Sequence, residues 1–230
     1  MGNLFVVSTP IGNLEDITLR ALRILREVDI IAAEDTRRTA KLLSKYEIGT
    51  KTISYHDQNK ERRTPLLLDR LRSGLNVAIV SDAGTPGISD PSYYLVSRAI
   101  DEGVPIIPVP GPTAAISALV VSGLPTDRFV FEGFLPSKEG RCRTRLRELA
   151  SERRTIVLFE SPHRLERNLH IMFEMLGNRR IAVVRELTKR FEEIQRGPLS
   201  ALIEQYKNVS PKGEFVLVVE GASEKDREGI

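Results

Sequence analysis

The chain of 230 residues contains no tryptophan, one cysteine and three histidines. A lone Cys142 rules out a disulfide framework and a cysteine-built zinc centre, and the histidines show no His-x-x-x-His spacing, so no metal is expected. No apolar run approaches the roughly 20 residues that a membrane span requires, which argues against a membrane partner. The start, Met1-Gly2-Asn3-Leu4, enters an apolar segment without a charged leader, so no signal peptide is expected and the cytoplasm is the natural compartment. Two nucleotide signatures are missing as well. No Gly-x-Gly-x-x-Gly opens a helix and no loop ends in Gly-Lys-Ser or Gly-Lys-Thr, so NAD and ATP lose ground as ligands.

What the chain has is a set of short Val- and Ile-rich runs, each followed by a loop of glycine and proline. Leu4 to Val7 leads to Ser8-Thr9-Pro10-Ile11-Gly12-Asn13, Val77 to Val80 to the loop Ser81 to Pro91, and Val104 to Pro108 to Pro110-Gly111-Pro112-Thr113. Runs this short and apolar predict buried parallel strands. Loops at the carboxyl ends of parallel strands line the ligand crevice of an open α/β sheet. Three separated segments are therefore expected to converge on one small-molecule site. In the second loop Asp82 offers a carboxylate at a strand end, and glycine lets a ligand approach the backbone; a plain turn capped by Asp82 is the competing reading. Thr113 opens a helix of small residues, Ala114 and Ala115, against which a flat group can lie, or it simply caps that helix.

The net charge is only +3, yet the basic residues are clustered. Arg37, Arg38, Lys41, Lys45, Lys51, Lys60, Arg62 and Arg63 face only Glu47, Asp57 and Glu61, and a second basic block runs from Lys138 to Arg154. One such block is ordinarily a solvated helix face; two, beside a separate ligand site, point to nucleic acid. Arg37, Lys41 and Lys45 are four residues apart, on one ridge of a helix that Asp35 or Thr36 can cap.

Strand–helix alternation through residue 123 predicts a mostly parallel sheet with both faces covered. Its first helix is expected over Ile17 to Val28 with Leu19, Leu22 and Leu25 on or near one face. Residues 124–221 read as a second α/β domain with a mixed sheet. There Arg179–Arg185 and Phe191–Gly197 form an antiparallel pair, Pro198 begins a helix, and 222–230 form a frayed tail. Several of these strands end in charge rather than in a bland turn, at Glu34-Asp35-Thr36-Arg37, at Tyr55-His56-Asp57-Gln58-Asn59 and at Glu160-Ser161-Pro162-His163-Arg164. A histidine there can act as base or as orienting donor.

The phrases Ser8-Thr9-Pro10-Ile11-Gly12-Asn13-Leu14, Glu34-Asp35-Thr36-Arg37, Ser81-Asp82-Ala83-Gly84-Thr85-Pro86 and Glu160-Ser161-Pro162-His163-Arg164, in this order with Pro110-Gly111-Pro112-Thr113 in place, resemble the tetrapyrrole-methylase family over about Leu4 to Gly221. Within the family the chain looks like the branch that methylates the 2′-hydroxyl of a cytidine in 16S rRNA of the small ribosomal subunit. The resemblance implies two α/β domains of the class III methyltransferase type, S-adenosylmethionine in the cleft between them, and a homodimer. Carried over motif by motif, the cofactor would meet Pro10 and Ile11, then Asp82, Gly84, Thr85 and Ile88, then Thr113 and Ala114, with further contacts near Ser161 and Leu187. Members of that branch often carry a short helical extension after the second domain; this sequence stops soon after Gly221.

Methyl transfer to a ribose requires an in-line acceptor and a base for its proton. Glu34, Asp35 and His56, then Glu160, are the candidates, as charged groups at strand ends. Arg37 and Arg164 would hold flanking phosphates, with Arg38, Lys41 and Lys45 on the same basic surface. Two other readings stay open: a methylase of a small tetrapyrrole precursor, which is also polyanionic, and a non-catalytic RNA-binding assembly factor that senses the cofactor.

Overall fold

A computed structural model describes residues 1–209 and 211–223. They form two compact units, the first Met1–Thr113 and the second from Ala114 on.

In the first unit the apolar runs become β1 (Leu4–Val7), β2 (Ile30–Ala33), β3 (Thr52–Ser54), β4 (Val77–Val80) and β5 (Ile106–Val109). They form one all-parallel sheet in the order β3-β2-β4-β1-β5. The helices are α1 (Leu19–Glu27), α2 (Thr36–Lys45), α3 (Lys60–Arg72) and α4 (Ser92–Asp101). Side chains alternate across a strand, and the core splits accordingly. Val7, Ile31, Ala33, Ala78 and Val80 pack with α1 and α2, while Leu4, Ala32, Val77 and Ile79 pack with α3 and α4. Buried on both faces, β2 and β4 can be apolar throughout.

The reading of α1 needs one correction. Leu22 and Leu25 are buried with Ala21 and Ile24, but Leu19 is 87% exposed. At 100° per residue Leu19 points nearly opposite that stripe. Thr18 caps the helix by accepting the Ala21 N–H at 3.0 Å.

In the second unit β6 (Phe129–Phe134), β7 (Thr155–Glu160), β8 (Arg180–Arg185), β9 (Glu193–Pro198) and β10 (Phe215–Val219) form a mixed sheet in the order β6-β7-β10-β8-β9. Only the β6–β7 pair is parallel. α6 (Glu139–Leu149), α7 (Leu165–Leu176) and α8 (Leu199–Tyr206) cover one face, and α5 (Ala114–Val121) packs on the other. Because α5 packs with Val157, Val216 and Val218, the division falls before it rather than after it, at Thr113 instead of residue 123. Pro198 closes β9 and stands at extended backbone (φ −69°, ψ 152°) as the residue before α8, so it is not the first helical residue. α6, read above only as a basic block, is a helix. Ala222 donates to the Glu152 carbonyl at 2.6 Å, and the rest of the expected tail beyond Ser223 lies outside the described residues. Among the described residues no helix is long and apolar enough to cross a membrane, and no group of three or more His, Cys, Asp or Glu side chains is placed to hold a metal.

Candidate functional site

The three glycine–proline loops leave adjacent strands, β4, β1 and β5, at their carboxyl ends and bond to one another. Thr9 and Gly84 exchange two backbone hydrogen bonds, Thr9 N–H to Gly84 O at 2.9 Å and Gly84 N–H to Thr9 O at 3.0 Å. The Ser8 and Thr85 hydroxyls are 3.0 Å apart, the Thr9 hydroxyl donates to Ser81 O at 3.2 Å, and the Thr85 hydroxyl donates to Pro112 O at 3.4 Å. Two glycines permit this packing. A Cβ on Gly111 would lie 3.0 Å from the Ser8 Cβ, and Gly84 adopts φ +81° with Ile11 Cγ2 3.3 Å from where its Cβ would be. Gly84→Ala is expected to destabilise the chain by roughly 1–2 kcal/mol, the cost of a side chain in the left-handed region, read as a lowered midpoint of thermal unfolding. Asp90 orders the far end of the β4 loop by accepting the Gly87 and Ser92 N–H groups at 2.8 and 2.7 Å; nothing in the sequence distinguished it from an ordinary turn residue. Ser89 beside it stands at φ +63°, and exposed Ile88 precedes it. A non-glycine residue held in that region marks a segment whose shape is imposed by its surroundings.

One strand over, the charged ends of β2 and β3 line a cavity of about 460 Å³, bordered by Glu34–Arg37, Ser54 and His56–Gln58. The β2–β4 register places Glu34 beside Ser81 and Asp82, and the two ends clasp each other. Asp82 accepts the Asp35 N–H at 2.9 Å and donates its own N–H to Glu34 Oε2 at 3.2 Å. Arg38 lies 3.5 Å from the other Asp82 oxygen. Burial pushes the Glu34 carboxyl up from its ordinary range; the N–H of Asp82 opposes that, and the nearby charges of Asp82, Asp90 and Asp57 add to it.

Its neighbours have other duties. Asp35 caps α2 by accepting the Arg37 N–H at 2.9 Å, and its carboxylate is held by a fork from the Arg37 guanidinium at 3.1 and 2.8 Å. That fork holds Asp35 far below the carboxylate range, so it stays ionised and is a poor proton acceptor. Asn59, given no separate role in the sequence, governs His56. Its Oδ1 accepts the His56 N–H at 2.9 Å, which orients the amide so that Nδ2 donates to His56 Nε2 at 3.0 Å. With that lone pair taken, His56 carries its proton on Nδ1 and serves as a donor. Arg37, Lys41 and Lys45 lie exposed on one ridge of α2.

In the second unit Glu160 is buried and its oxygens are occupied. It accepts the Ser161 N–H at 2.7 Å, the Arg164 Nε at 3.1 Å and the amide of buried Asn168. Arg164 also donates to Ser161 Oγ and Leu135 O, both at 3.0 Å. Glu160 and Arg164 thus brace one another instead of facing outward. Leu187 sits half-buried between Glu186 and Thr188, both at positive φ, and packs against Val184 and its neighbours. Of the second basic block, Arg143 pairs with Glu139 and Glu174, Arg145 with Glu132 and Glu148, and Arg154 with Glu152, which leaves less of its charge for a polyanion than the sequence suggested.

Comparison with known proteins places the chain in a family. The family model of the tetrapyrrole (corrin/porphyrin) methylases matches residues 3–203. The chain is 53% identical over 228 residues to the ribosomal RNA small subunit methyltransferase I of Synechocystis sp., covering 99% of this chain and 82% of that one. It is 49% identical to the protein of the same name from Thermotoga maritima, covering 96% and 99% respectively. Among solved structures it resembles uroporphyrin-III C-methyl transferase from Thermus thermophilus complexed with S-adenyl homocysteine (TM-score 0.65, 22% identity, 94% of this chain and 97% of that one). It also resembles a diphthine synthase (TM-score 0.73, 16% identity, 99% and 94%). At those identities the likeness carries the fold alone.

Proposed function

The chain belongs to the tetrapyrrole (corrin/porphyrin) methylases, and on that premise we propose that it transfers the methyl group of S-adenosylmethionine to the 2′-hydroxyl of a cytidine ribose in 16S rRNA of the small ribosomal subunit. The observation that carries this reading is the identity of about half the residues, over nearly the whole chain, to proteins named ribosomal RNA small subunit methyltransferase I. A basic ridge beside a polar cavity supports it further.

The loops fit the cofactor. Pro10, Ile11, Gly84, Thr85 and Thr113 bring no charge: the first three are buried beneath the loops, and half-buried Thr85 and Thr113 offer hydroxyls, which suits an adenosyl group. Asp82 stands at their edge with carboxylate lone pairs beyond those taken by the Asp35 N–H and Arg38. Ile88, Ala114, Ser161 and Leu187 complete the set of cofactor contacts that the family resemblance implies. When bound, S-adenosylmethionine supplies an electrophilic methyl on a sulfonium, which asks the protein to aim the acceptor oxygen in line and to take up its proton. Glu34 takes that proton. Asp35 is held ionised by Arg37, His56 has no lone pair to offer, and Glu160 is enclosed, so each is weaker as a base. The Nδ1–H of His56 orients the incoming nucleotide as a donor. Arg37, Lys41 and Lys45 follow the phosphates, with Arg38 divided between them and Asp82.

Lys41→Glu with Lys45→Glu is expected to weaken RNA binding by about ten-fold or more and to flatten its dependence on salt, while cofactor affinity holds. Filter binding across a salt series, with isothermal titration of the cofactor, checks both. The proposal includes a homodimer in the cytoplasm, testable by sedimentation. Methyl-tritiated S-adenosylmethionine, offered with unmethylated small subunits, naked 16S rRNA and a porphyrinogen, tests the whole. Label resistant to alkali at one ribose is the expected result; label on the porphyrinogen alone would overturn it.

A further inference from the structure

One end of the second sheet carries two exposed phenylalanines, each beside a guanidinium. Phe134, the last residue of β6, is 52% exposed. Its ring lies 5.6 Å from that of Phe159, which in turn lies 5.0 Å from Phe131, so it is backed by a small aromatic stack. The Arg164 guanidinium stands 6.0 Å from its centroid, fixed in place by Glu160, Ser161 and Leu135. Phe191, in the turn between β8 and β9, is 66% exposed with the Arg190 guanidinium 5.6 Å from its centroid. The strand register brings them to the same end of the sheet: Phe134 pairs with Phe159, Glu160 with Phe215, Phe215 with Arg185, and Arg185 with Glu193. β6 and β9 are separated by four strand spacings, roughly 19 Å.

Scattered apolar residues on a surface need no explanation. Two aromatic rings with paired guanidiniums on one sheet end form a pattern that matches one chemistry, an unpaired nucleotide. Its base has a π-face to stack, and its phosphate meets the exposed cations Arg190, Lys138 and Arg141, while Arg164, neutralised by Glu160, only backs the Phe134 ring. We propose that this end of the second sheet holds a single-stranded segment of the substrate RNA, with one base stacked on Phe134 and another reaching Phe191. The proposal rests on the RNA reading above and adds to it a second contact surface, independent of the α2 ridge. The exposed cations Lys138 and Arg141, which follow Phe134, favour a polyanion there over a second copy paired Phe134 to Phe134, which would bring these like charges together.

The chain has no tryptophan, so Phe134→Trp creates a sole indole reporter at the site. Phe134→Ala and Phe134→Leu are expected to weaken binding of naked 16S rRNA and of unmethylated small subunits by roughly five- to 150-fold, the range for one stacked base. S-adenosylmethionine affinity and thermal midpoint should hold. Phe134→Trp should bind close to wild type, and RNA should quench its fluorescence. Wild-type RNA affinity in Phe134→Leu would make the ring mere apolar cover and overturn the proposal, as would dissociation of a dimer or loss of cofactor affinity in Phe134→Ala. A wild-type chain that fails to bind either RNA would reject the functional reading itself; wild-type binding with an unaffected Phe134→Ala rejects this proposal alone.

Discussion

Replacing Glu34 by Gln is expected to lower kcat by roughly 10²- to 10⁴-fold, the usual worth of a positioned general base, with S-adenosylmethionine affinity unchanged. Glu34 is the group at the cavity whose proton affinity burial and neighbouring acids raise. A carboxyl acts as a base only when ionised. The wild-type rate should therefore climb with pH through a midpoint shifted upward from that of an ordinary glutamate, and the variant's residual rate should lose that limb. Stability runs the other way. A carboxyl whose pKa is raised on folding favours the fold below its unfolded pKa and loses that contribution as pH rises through the folded value. At neutral pH Gln imitates the protonated form, so the variant should melt at the wild-type temperature or above it. Loss of rate without loss of stability separates chemistry from scaffolding. A variant that keeps wild-type kcat and pH profile would remove Glu34 from the reaction and leave positioning by the loops as the source of rate.

Glu160→Ala is expected to be the most destabilising single change in the second unit. The carboxylate is buried and answers three donors at once, the Ser161 N–H, Arg164 and Asn168. Removing one partner of a buried ion pair costs about 3–5 kcal/mol, because the other charge is left without compensation. Arg164 keeps 21% of its side chain in solvent, which favours the lower end, about 3 kcal/mol. Urea unfolding should show a midpoint reduced by roughly 1–3 M in the transition of the second unit. Glu160→Gln, which still presents an acceptor, should lose less. If Ala and Gln are equally mild, the network is ornamental to stability, and the enclosed carboxylate would have to be reconsidered as a group that acts in the reaction.

The parallel sheet was legible because a strand buried on both faces has no reason to alternate. β2 and β4 begin and end where their apolar runs do, and the loops after β1, β4 and β5 announced themselves by glycine and proline. α6 was hidden by its composition. Arg141, Arg143, Arg145 and Arg147 recur every second residue and mask the helical signal of Cys142, Leu146 and Leu149, which alone are buried. Leu19 misled in the opposite sense, as an apolar residue on the wet side of its helix. The clasp of Glu34 and Asp82 spans 48 positions and exists only because β2 and β4 are neighbours in a sheet whose strand order no local pattern encodes. The hold of Asn59 on His56 was invisible for a simpler reason. An asparagine three residues after a histidine is common, and only coordinates tell which ring nitrogen it meets.

The strand order also dictates a timetable for the nascent chain. β1 is the first strand to be made, yet its neighbours are β4 and β5, so Leu4 waits for Val77 on one side and Ile106 on the other. At roughly 5–20 residues per second, this hydrophobic strand stays without partners for several seconds, while β2 and β3 can already pair with each other. The three glycine–proline loops join only when Thr9 meets Gly84 and Thr85 meets Pro112. A ribosome stalled before residue 109 therefore displays a chain whose three loops are not yet joined and whose amino terminus is open to chaperones; a stall some tens of residues later displays one that can complete the first unit's sheet.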